Sequence, residues 1–321
     1  MNDIEEAKKI SLEFKVLINN NDVADVADVI SISAYKRFCK ISTAEVVLHY
    51  GSLLDDDFVD DKNQDISIGG EMEIYADDGE RCIFRGVIVK KSVSLSNKRS
   101  LLTLTAKNKA YKMTLNRYNY VFSEMKDSEM IEEVINKYGL DCDVETTSYK
   151  NELATQYNCS DWDFINIKAE SNALLVFTDD DKIIVKRPKV ENAKFEINGY
   201  ESIVDFDAQL DGRTAFSEYK ASLWNYNSQE KQEVEKKNAS NDFQQGSQQT
   251  QQLADKLKND TFTMNINSYF VDNDVVEEKI NATIMRNNLS RIIGKARLFG
   301  VSDIKPGETV KFSGLGDSFN G

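Results

Sequence analysis

The sequence has very few of the residues that carry most enzyme and metal chemistry. Its 321 residues include one histidine, His49, and four widely spaced cysteines: Cys39, Cys82, Cys142 and Cys159. Zinc sites need closer groups of such ligands, and acid–base catalysis at neutral pH most often uses histidine. His49 lies in an alternating, strand-like segment with no nucleophile motif beside it. We therefore expect no catalytic residue, no metal and no cofactor, and we expect free cysteines buried as small apolar side chains.

Long hydrophobic runs and an excess of positive charge are also missing. No segment approaches 18 consecutive apolar residues, and residues 1–10 are acidic and helix-like rather than a basic region followed by an apolar one. Forty basic and 54 acidic residues give a net charge of −14. No local basic patch is visible in the sequence, so a nucleic-acid backbone would be repelled. The sequence predicts a chain made in a cytoplasm, with no membrane anchor and no nucleic-acid binding.

Two aspartate clusters and one glycine-rich end resemble ligand-binding motifs. Residues 55–61 and 179–181 lack the alternate-position spacing and central glycine of an EF-hand loop, so solvated turns are favoured over calcium sites. Residues 314–316 lack the lysine and the following Ser or Thr of a phosphate-binding loop, which indicates a hairpin turn. Acidic pairs are so frequent in this chain that none indicates a glycosidase couple.

The amino-terminal third has the pattern of a half-buried sheet. A chain of this length with 40% hydrophobic residues usually has two or more domains. Apolar and polar residues alternate over segments 11–17, 72–75, 84–93 and 101–106, and turn-forming residues separate these segments. We interpret residues 1–112 as an antiparallel β-barrel or a strongly curved sheet.

A different pattern begins after residue 112. Five apolar residues of segment 128–138 share one helical face, and Gly139 follows as a C-cap. Ser160 can cap a second helix, which has aspartates in its first turn and ends near Asn172. Segments 174–177 and 182–186 then predict a hairpin across the aspartates 179–181. Residues 113–192 are therefore expected to form a small α+β insert.

Residues 193–321 return to a strand pattern, with strands expected over 201–208 and 215–224. Residues 227–255 are rich in Gln, Asn, Ser and Lys, which predicts a mobile loop or an exposed helix. Val276, Ile280 and Ile284 indicate a helix over 275–287. We interpret this region as a second antiparallel β-barrel similar to the first. The expected fold class is thus mainly β, with two barrels, an α+β insert and one helix in the second barrel.

A short internal repeat relates the two β-rich regions. Residues 68–74 and the turn that ends at Gly86 are similar to residues 304–312 and the turn that ends at Gly321. In the first copy the chain continues from Gly86 into a long strand. Because native chains avoid long unpaired edges, we expect the natural polypeptide to continue beyond Gly321 into the last strand of the second barrel.

The most informative motif lies at the start of the second predicted helix. It reads Gln-Tyr-Asn-Cys-Ser-Asp-Trp-Asp-Phe-Ile over residues 156–165, and Leu-Leu-Val-Phe follows at 174–177. The motif and the order of elements around it resemble the VgrG-like spike proteins, the Vgr family of Rhs elements, to which phage tail-hub proteins are more distantly related. Ala173 stands where that family usually has glycine. The residues that carry the resemblance are Ser160, Asp161, Trp162, Phe164, Ile165 and Glu170.

The resemblance implies a structural hub rather than an enzyme. Trp162 and Phe164 would pack the insert onto a barrel instead of binding a ligand. A homotrimer would place six barrels in a ring and join the hexameric tail-tube protein and the baseplate to a trimeric needle, with a needle-tip protein held through the missing carboxyl-terminal region. Such spikes of type VI secretion systems or related extracellular particles are assembled in the bacterial cytoplasm and expelled when the sheath contracts.

Three other functions stay open at this point. The chain is also compatible with a β-rich adhesin or glycan-binding module, with a phage tail-hub protein, and with a hydrolase whose site the sequence does not reveal.

Overall fold

The computed structural model of the chain describes residues 13–52, 57–58, 66–76, 79–96, 99–189, 192–199, 203–225, 229–237, 250–266, 273–299, 304–316 and 318–321. The helix-like residues 1–10, most of the aspartate cluster at 55–61 and much of the polar segment 227–255 lie outside these ranges. None of the helices in the described ranges is both long enough and apolar enough to span a membrane.

The first unit is built around one antiparallel sheet of seven strands, ordered β2-β1-β7-β8-β9-β4-β3, and a separate pair, β5-β6. Its inward side chains form one apolar cluster. The alternating pattern predicted β1, β4, β7, β8 and β9 correctly, whereas β2, β3, β5 and β6 were not predicted. The strands are β1 (Phe14–Ile18), β2 (Asn21–Asp22), β3 (Val29–Tyr35), β4 (Thr43–His49), β5 (Gly51–Ser52), β6 (Asp57–Phe58), β7 (Glu71–Ala76), β8 (Arg81–Ser96) and β9 (Arg99–Lys107).

The long strand β8 depends on a glycine at its centre. Its first half pairs with β7 and its second half with β9, and the two ladders overlap at Val87. A Cβ atom on Gly86 would lie 2.4 Å from the carbonyl oxygen of Lys107 and 2.7 Å from Cζ of Phe84. Only glycine therefore allows the end of β9 to approach β8 this closely.

The first sheet is open, so the prediction of a closed barrel was wrong for the described strands. Within these ranges β3 pairs only with β4, and the opposite end of the sheet is the two-residue strand β2. Alternation in the sequence shows that a strand has one buried face. It does not show whether the first and last strands of a sheet meet.

The insert contains a two-stranded antiparallel ribbon, β10-β12, and a three-stranded sheet, β11-β14-β13, in which β11 and β14 are parallel. Both predicted helices and the predicted hairpin are confirmed, whereas β10, β11 and β12 were not predicted. The elements are β10 (Arg117–Lys126), α1 (Asp127–Asn136), β11 (Asp141–Val144), β12 (Lys150–Ser160), α2 (Asp161–Ser171), β13 (Leu175–Asp179) and β14 (Lys182–Lys186). As expected from the C-cap, Gly139 has a φ of +64°.

The third unit differs from the expected second barrel. Its described strands form three small sheets, β15-β21, β16-β20 and β18-β17-β19, and the first pair and the β17-β19 pair are parallel. A parallel pair requires a long crossover, here β18 and α3 between β17 and β19. The elements are β15 (Phe195–Asn198), β16 (Ile203–Leu210), β17 (Glu218–Asn225), β18 (Glu230–Lys237), α3 (Thr250–Leu257), β19 (Thr261–Ile266), α4 (Asn273–Arg291), β20 (Ile292–Leu298) and β21 (Val310–Ser313).

Part of the predicted polar loop is a strand. Strand β18 pairs with β17 along its whole length, and its one apolar residue, Val234, packs against the cluster that contains Val276, Ile280 and Ile284 of α4. The helix predicted over 275–287 is thus confirmed and is longer than expected. Backbone pairing with β17 stabilises a segment whose own side chains give little apolar burial.

The internal repeat does not place its two copies in equivalent pairings. In the first unit Ile74, at the end of the first copy, pairs with Phe84 across the antiparallel β7-β8 ladder. In the third unit Phe312, at the end of the second copy, lies in β21, which pairs in parallel with β15; it also exchanges backbone hydrogen bonds with Gly321, with N···O distances of 2.8 and 2.9 Å. Continuation of the chain beyond Gly321 and the domain limits at 112 and 192 stay predictions.

Candidate functional site

The family motif begins α2. The hydroxyl of Ser160 accepts a hydrogen bond from the amide of Asp163 at 3.1 Å, so the predicted N-cap is confirmed. Asp161 and Asp163 lie in the first turn, where the helix dipole favours negative charge. This arrangement fixes the point at which the chain leaves β12 and enters the helix.

Asp161 is a buried carboxylate whose two oxygens both accept hydrogen bonds. Oδ2 accepts from the Tyr138 hydroxyl and Oδ1 from Nε2 of Gln156, each at 2.8 Å. Burial and the bond to Asp161 raise the pKa of Tyr138 well above its ordinary value of 10.0. The phenol therefore stays protonated and keeps donating. Through these two hydrogen bonds, Asp161 at the start of α2 connects the residue Tyr138, which follows α1, to Gln156 of β12.

Trp162, Phe164 and Ile165 belong to the core of the insert itself. They share one buried cluster with the helix α1, and the ring of Phe164 stacks on Phe122 of β10 with centroids 5.2 Å apart. The short 3-10 helix Lys109–Thr114, which follows β9, adds Ala110 and Met113 to the same cluster. Ile41, which precedes β4, also packs against this cluster, so the motif aromatics form the centre of the insert and their cluster extends to the first unit.

Glu170, the last residue of the motif, is exposed and faces α4. Its Oε1 lies 3.2 Å from Nη2 of Arg286. Ala173 follows with a φ of +61°, a conformation that favours glycine, and its methyl group packs with Ala282 and Met285 of α4. The end of α2 is therefore a contact between the insert and the third unit.

The aspartate turn, residues 179–181 between β13 and β14, is another contact between units. Oδ1 of Asp179 lies 3.4 Å from Nζ of Lys36 in the first unit, and Oδ2 lies 3.0 Å from Nζ of Lys305 in the third. Burial acts to raise the pKa of Asp179, but the hydrogen bonds and charges of the two lysines outweigh it, so this pKa is lowered. The bond to Asp179 in turn raises the pKa of Lys305.

The rest of the aspartate turn contacts the first unit. Asp181 forms an ion pair with Arg85 at 3.0 Å, which raises the pKa of that guanidinium, and Asn108 donates its side-chain amide to the carbonyl of Asp180. The prediction of a merely solvated turn was therefore wrong. Lys36 and Lys305 lie 143 and 126 residues from the aspartates that they bind, so no local signal pointed to them.

A buried hydroxyl pair strengthens this junction. Thr178 donates to the Ser42 hydroxyl at 2.6 Å, and the backbone amide of Cys39 donates to the carbonyl of Val176 at 2.7 Å. Phe38 packs edge-on against Phe177 at 5.6 Å. The loop between β3 and β4 is thus fastened to β13 by polar and aromatic contacts.

The described part of the chain offers no obvious site for chemistry. It contains no group of three or more His, Cys, Asp or Glu side chains placed to hold a metal. His49 is exposed on β4. The four cysteines are free as predicted, but none is buried: Cys39, in the loop between β3 and β4, is exposed, and the other three are half-buried. Burial, followed by the charge of Asp180, raises the pKa of Cys82 to about 11.

Comparisons with known proteins identify a family and a fold. A family model described as the Alg8 N-terminal domain matches residues 8–321. No match was found among curated proteins. A 43 kDa tail protein of prophage MuSo2 from Shewanella oneidensis is 10% identical, with a TM-score of 0.64 over 94% of this chain and 89% of that chain. A tail protein from Neisseria meningitidis is 11% identical, with a TM-score of 0.65 over 94% and 86%.

A PdpA–VgrG complex from Francisella aligns more weakly, with a TM-score of 0.45, 11% identity and coverage of 82% of this chain and 41% of that chain. No argument depends on that similarity. The two stronger matches show that the chain has the fold of a tail protein along nearly its whole length. The more distant resemblance to phage tail proteins is therefore supported at the level of the fold, whereas the resemblance to VgrG-like spike proteins stays a prediction.

Proposed function

This chain belongs to the Alg8 N-terminal domain family, and we propose that it is a non-catalytic structural hub of a phage-tail-like contractile assembly. The observation that carries the proposal is the fold, which two tail proteins share over 94% of this chain. Assembly proteins of this kind work through extended interfaces rather than through a reactive pocket.

The finer proposal is a VgrG-like spike hub of a type VI secretion system or a related extracellular injection particle. Three copies form a ring that joins the hexameric tail-tube protein and the baseplate to a trimeric needle, and a needle-tip protein is held through the needle. The motif over residues 156–165 and the order of elements around it, which resemble the VgrG-like spike proteins, support this proposal. The assembly forms in the bacterial cytoplasm and is expelled on contraction.

The junction at the aspartate turn supports a mechanical role. Ion pairs at one turn bind side chains of the first and third units, and buried hydroxyls bind the β3–β4 loop. Contacts that converge on one hairpin resist relative movement of the parts they join. A hub that transmits the force of sheath contraction needs this property.

The ribbon β10-β12 supports assembly because its outer face exposes large apolar side chains next to Ser123 and Thr155. Val121 and Leu153 are exposed at 55% and 64%, and the register places them on the face opposite the buried side chains of Phe122 and Ala154. Tyr157 extends the same face and is 80% exposed. Monomeric soluble proteins seldom expose contiguous apolar surface of this kind, so we assign this face to the subunit interface.

Light scattering coupled to size exclusion tests the proposal. We expect a mass three times the 36.5 kDa of one chain, and co-purification with the hexameric tail-tube protein when both are expressed together. Leu153→Glu should dissociate the trimer. The matched control Ile167→Glu introduces the same charge at an exposed apolar residue of α2 and should leave the trimer intact.

Two outcomes would overturn the hub. The first is a monomer at all concentrations that does not bind the tail-tube protein. The second is specific glycan binding by such a monomer on an array, which would favour the adhesin function. Circular dichroism of both variants establishes that any loss of assembly is not a loss of folding.

A further inference from the structure

Strand β3 is an edge that the described chain leaves unpaired. Its sequence, Val-Ile-Ser-Ile-Ser-Ala-Tyr, contains no charge and no proline, and five of its seven residues are exposed. It pairs with β4 on one side only, and its one bulge lies at its start, between Val29 and Ser31. Proteins usually protect such an edge with a charge, a proline or a covering segment. An uncharged, apolar edge is a surface on which a further strand can pair.

A deep cleft of about 1000 Å³ lies beside this edge. Besides β3, the cleft is lined by Phe14 of β1, by Cys82 and Ile83 at the start of β8, and by Pro306 of the third unit. The apolar side chains that line it are Phe14, Val29, Ile30, Ile32, Phe38, Ile83, Leu298 and Ile304. A strand paired with β3 could therefore place alternate side chains into an apolar space.

The charges around the cleft have one sign. Its lining includes Lys36, Arg37, Arg81 and Lys305, and it includes no acidic residue, although the whole chain has a net charge of −14. Lys36 and Lys305 already share Asp179. Arg37 is exposed, and its guanidinium lies 5.4 Å from the centre of the Tyr35 ring at the end of β3. The rim therefore favours an acidic ligand over a neutral or basic one.

We propose that the β3 edge and this cleft form a docking site for an extended acidic segment of a partner polypeptide. The segment adds a strand to β3 through its backbone, places apolar side chains in the cleft and directs carboxylates toward Arg37. Backbone pairing gives the affinity, while the cleft and its basic rim give the specificity. The site does not depend on the hub function, because edge, cleft and charge are properties of one chain.

Fluorescence anisotropy with a labelled eight-residue peptide tests the proposal on the full chain. The probe alternates Val or Ile with Asp or Glu. We expect saturable binding to one site per chain, weakened by salt, and slower hydrogen exchange of the β3 amides in the complex. A peptide with lysine in place of each acid should bind at least tenfold more weakly, and so should one N-methylated at alternate residues, which cannot pair along one edge.

Arg37→Glu should weaken binding of the acidic peptide about tenfold, whereas Lys112→Glu, the same change at an exposed lysine outside the cleft, should change it less than twofold. Equal binding of the acidic and lysine peptides would overturn the charge argument. Equal binding of the N-methylated peptide would overturn strand pairing. If exchange of the β3 amides slows only as the concentration of the chain rises, in the absence of peptide, the edge pairs with a second copy of this chain. That result would overturn the proposal of an acidic partner segment.

Discussion

Replacing Gly86 with alanine tests whether the close approach of β8 and β9 depends on the missing side chain. The added methyl carbon would lie 2.4 Å from the carbonyl oxygen and 2.7 Å from the carbonyl carbon of Lys107, distances that real Cβ atoms essentially never show. Both obstacles are backbone atoms in a ladder, so no side chain can turn aside. Overpacking of a buried site costs about 1–3 kcal/mol, and we expect Gly86→Ala to lie near the upper end.

Hydrogen exchange of the β8 and β9 amides measures this cost locally. A loss of about 3 kcal/mol corresponds to roughly 150-fold faster exchange through local opening. The control is Gly139→Ala, at a position with a φ of +64° and no atom within 4 Å of the new methyl. It should cost about 1 kcal/mol and affect exchange in α1 rather than in β9. Less than threefold acceleration in β9 for Gly86→Ala would refute the steric argument.

Three further predictions concern the aspartate turn, the cysteines and the motif. Acid should loosen the aspartate turn, because the pKa of Asp179 is lower in the folded chain than its ordinary value of 3.8. The ionised carboxylate therefore stabilises the fold fully at pH values above 3.8, and this stabilisation is lost as the pH falls through the folded-state pKa. Melting from pH 6 to pH 3 should show this loss, and Asp179→Asn should flatten it. Iodoacetamide should modify exposed Cys39 before Cys82 at pH 7.5, since burial raises the pKa of Cys82 to about 11; mass spectrometry of timed samples decides the order. Ser160→Ala should destabilise the insert by about 1 kcal/mol, measured by urea unfolding, and Ser160→Asp should restore most of that loss.

Local patterns predicted the helices α1, α2 and α4, the hairpin β13-β14 and most of the long strands of the first unit. The cap at Ser160, the glycine after α1 and the periodic spacing of Val276, Ile280 and Ile284 each depend on residues within a few positions of one another. Such signals act through local hydrogen bonds and a single buried face, so they can be recognised without the rest of the chain.

Strand β18 shows where local patterns fail. Its sequence, Glu-Lys-Gln-Glu-Val-Glu-Lys-Lys, has one apolar residue and reads as a solvated loop. It is a strand because β17 supplies backbone partners along its whole length. The parallel pairing of β17 with β19 likewise depends on the path of the chain between them.

Composition, periodicity and motif spacing were enough to predict a mainly β protein with an α+β insert, to show that its one histidine and four cysteines lack the spacing of a zinc site, and to relate its helix motif to that of spike proteins. Only the tertiary structure decided that the first sheet is open and that the aspartate turn joins side chains from both neighbouring units. The reason is range. Periodicity and caps are set within one or two turns of chain, whereas the ion pairs of Asp179 join residues more than 100 positions apart, and sheet closure depends on how all the strands are arranged in space.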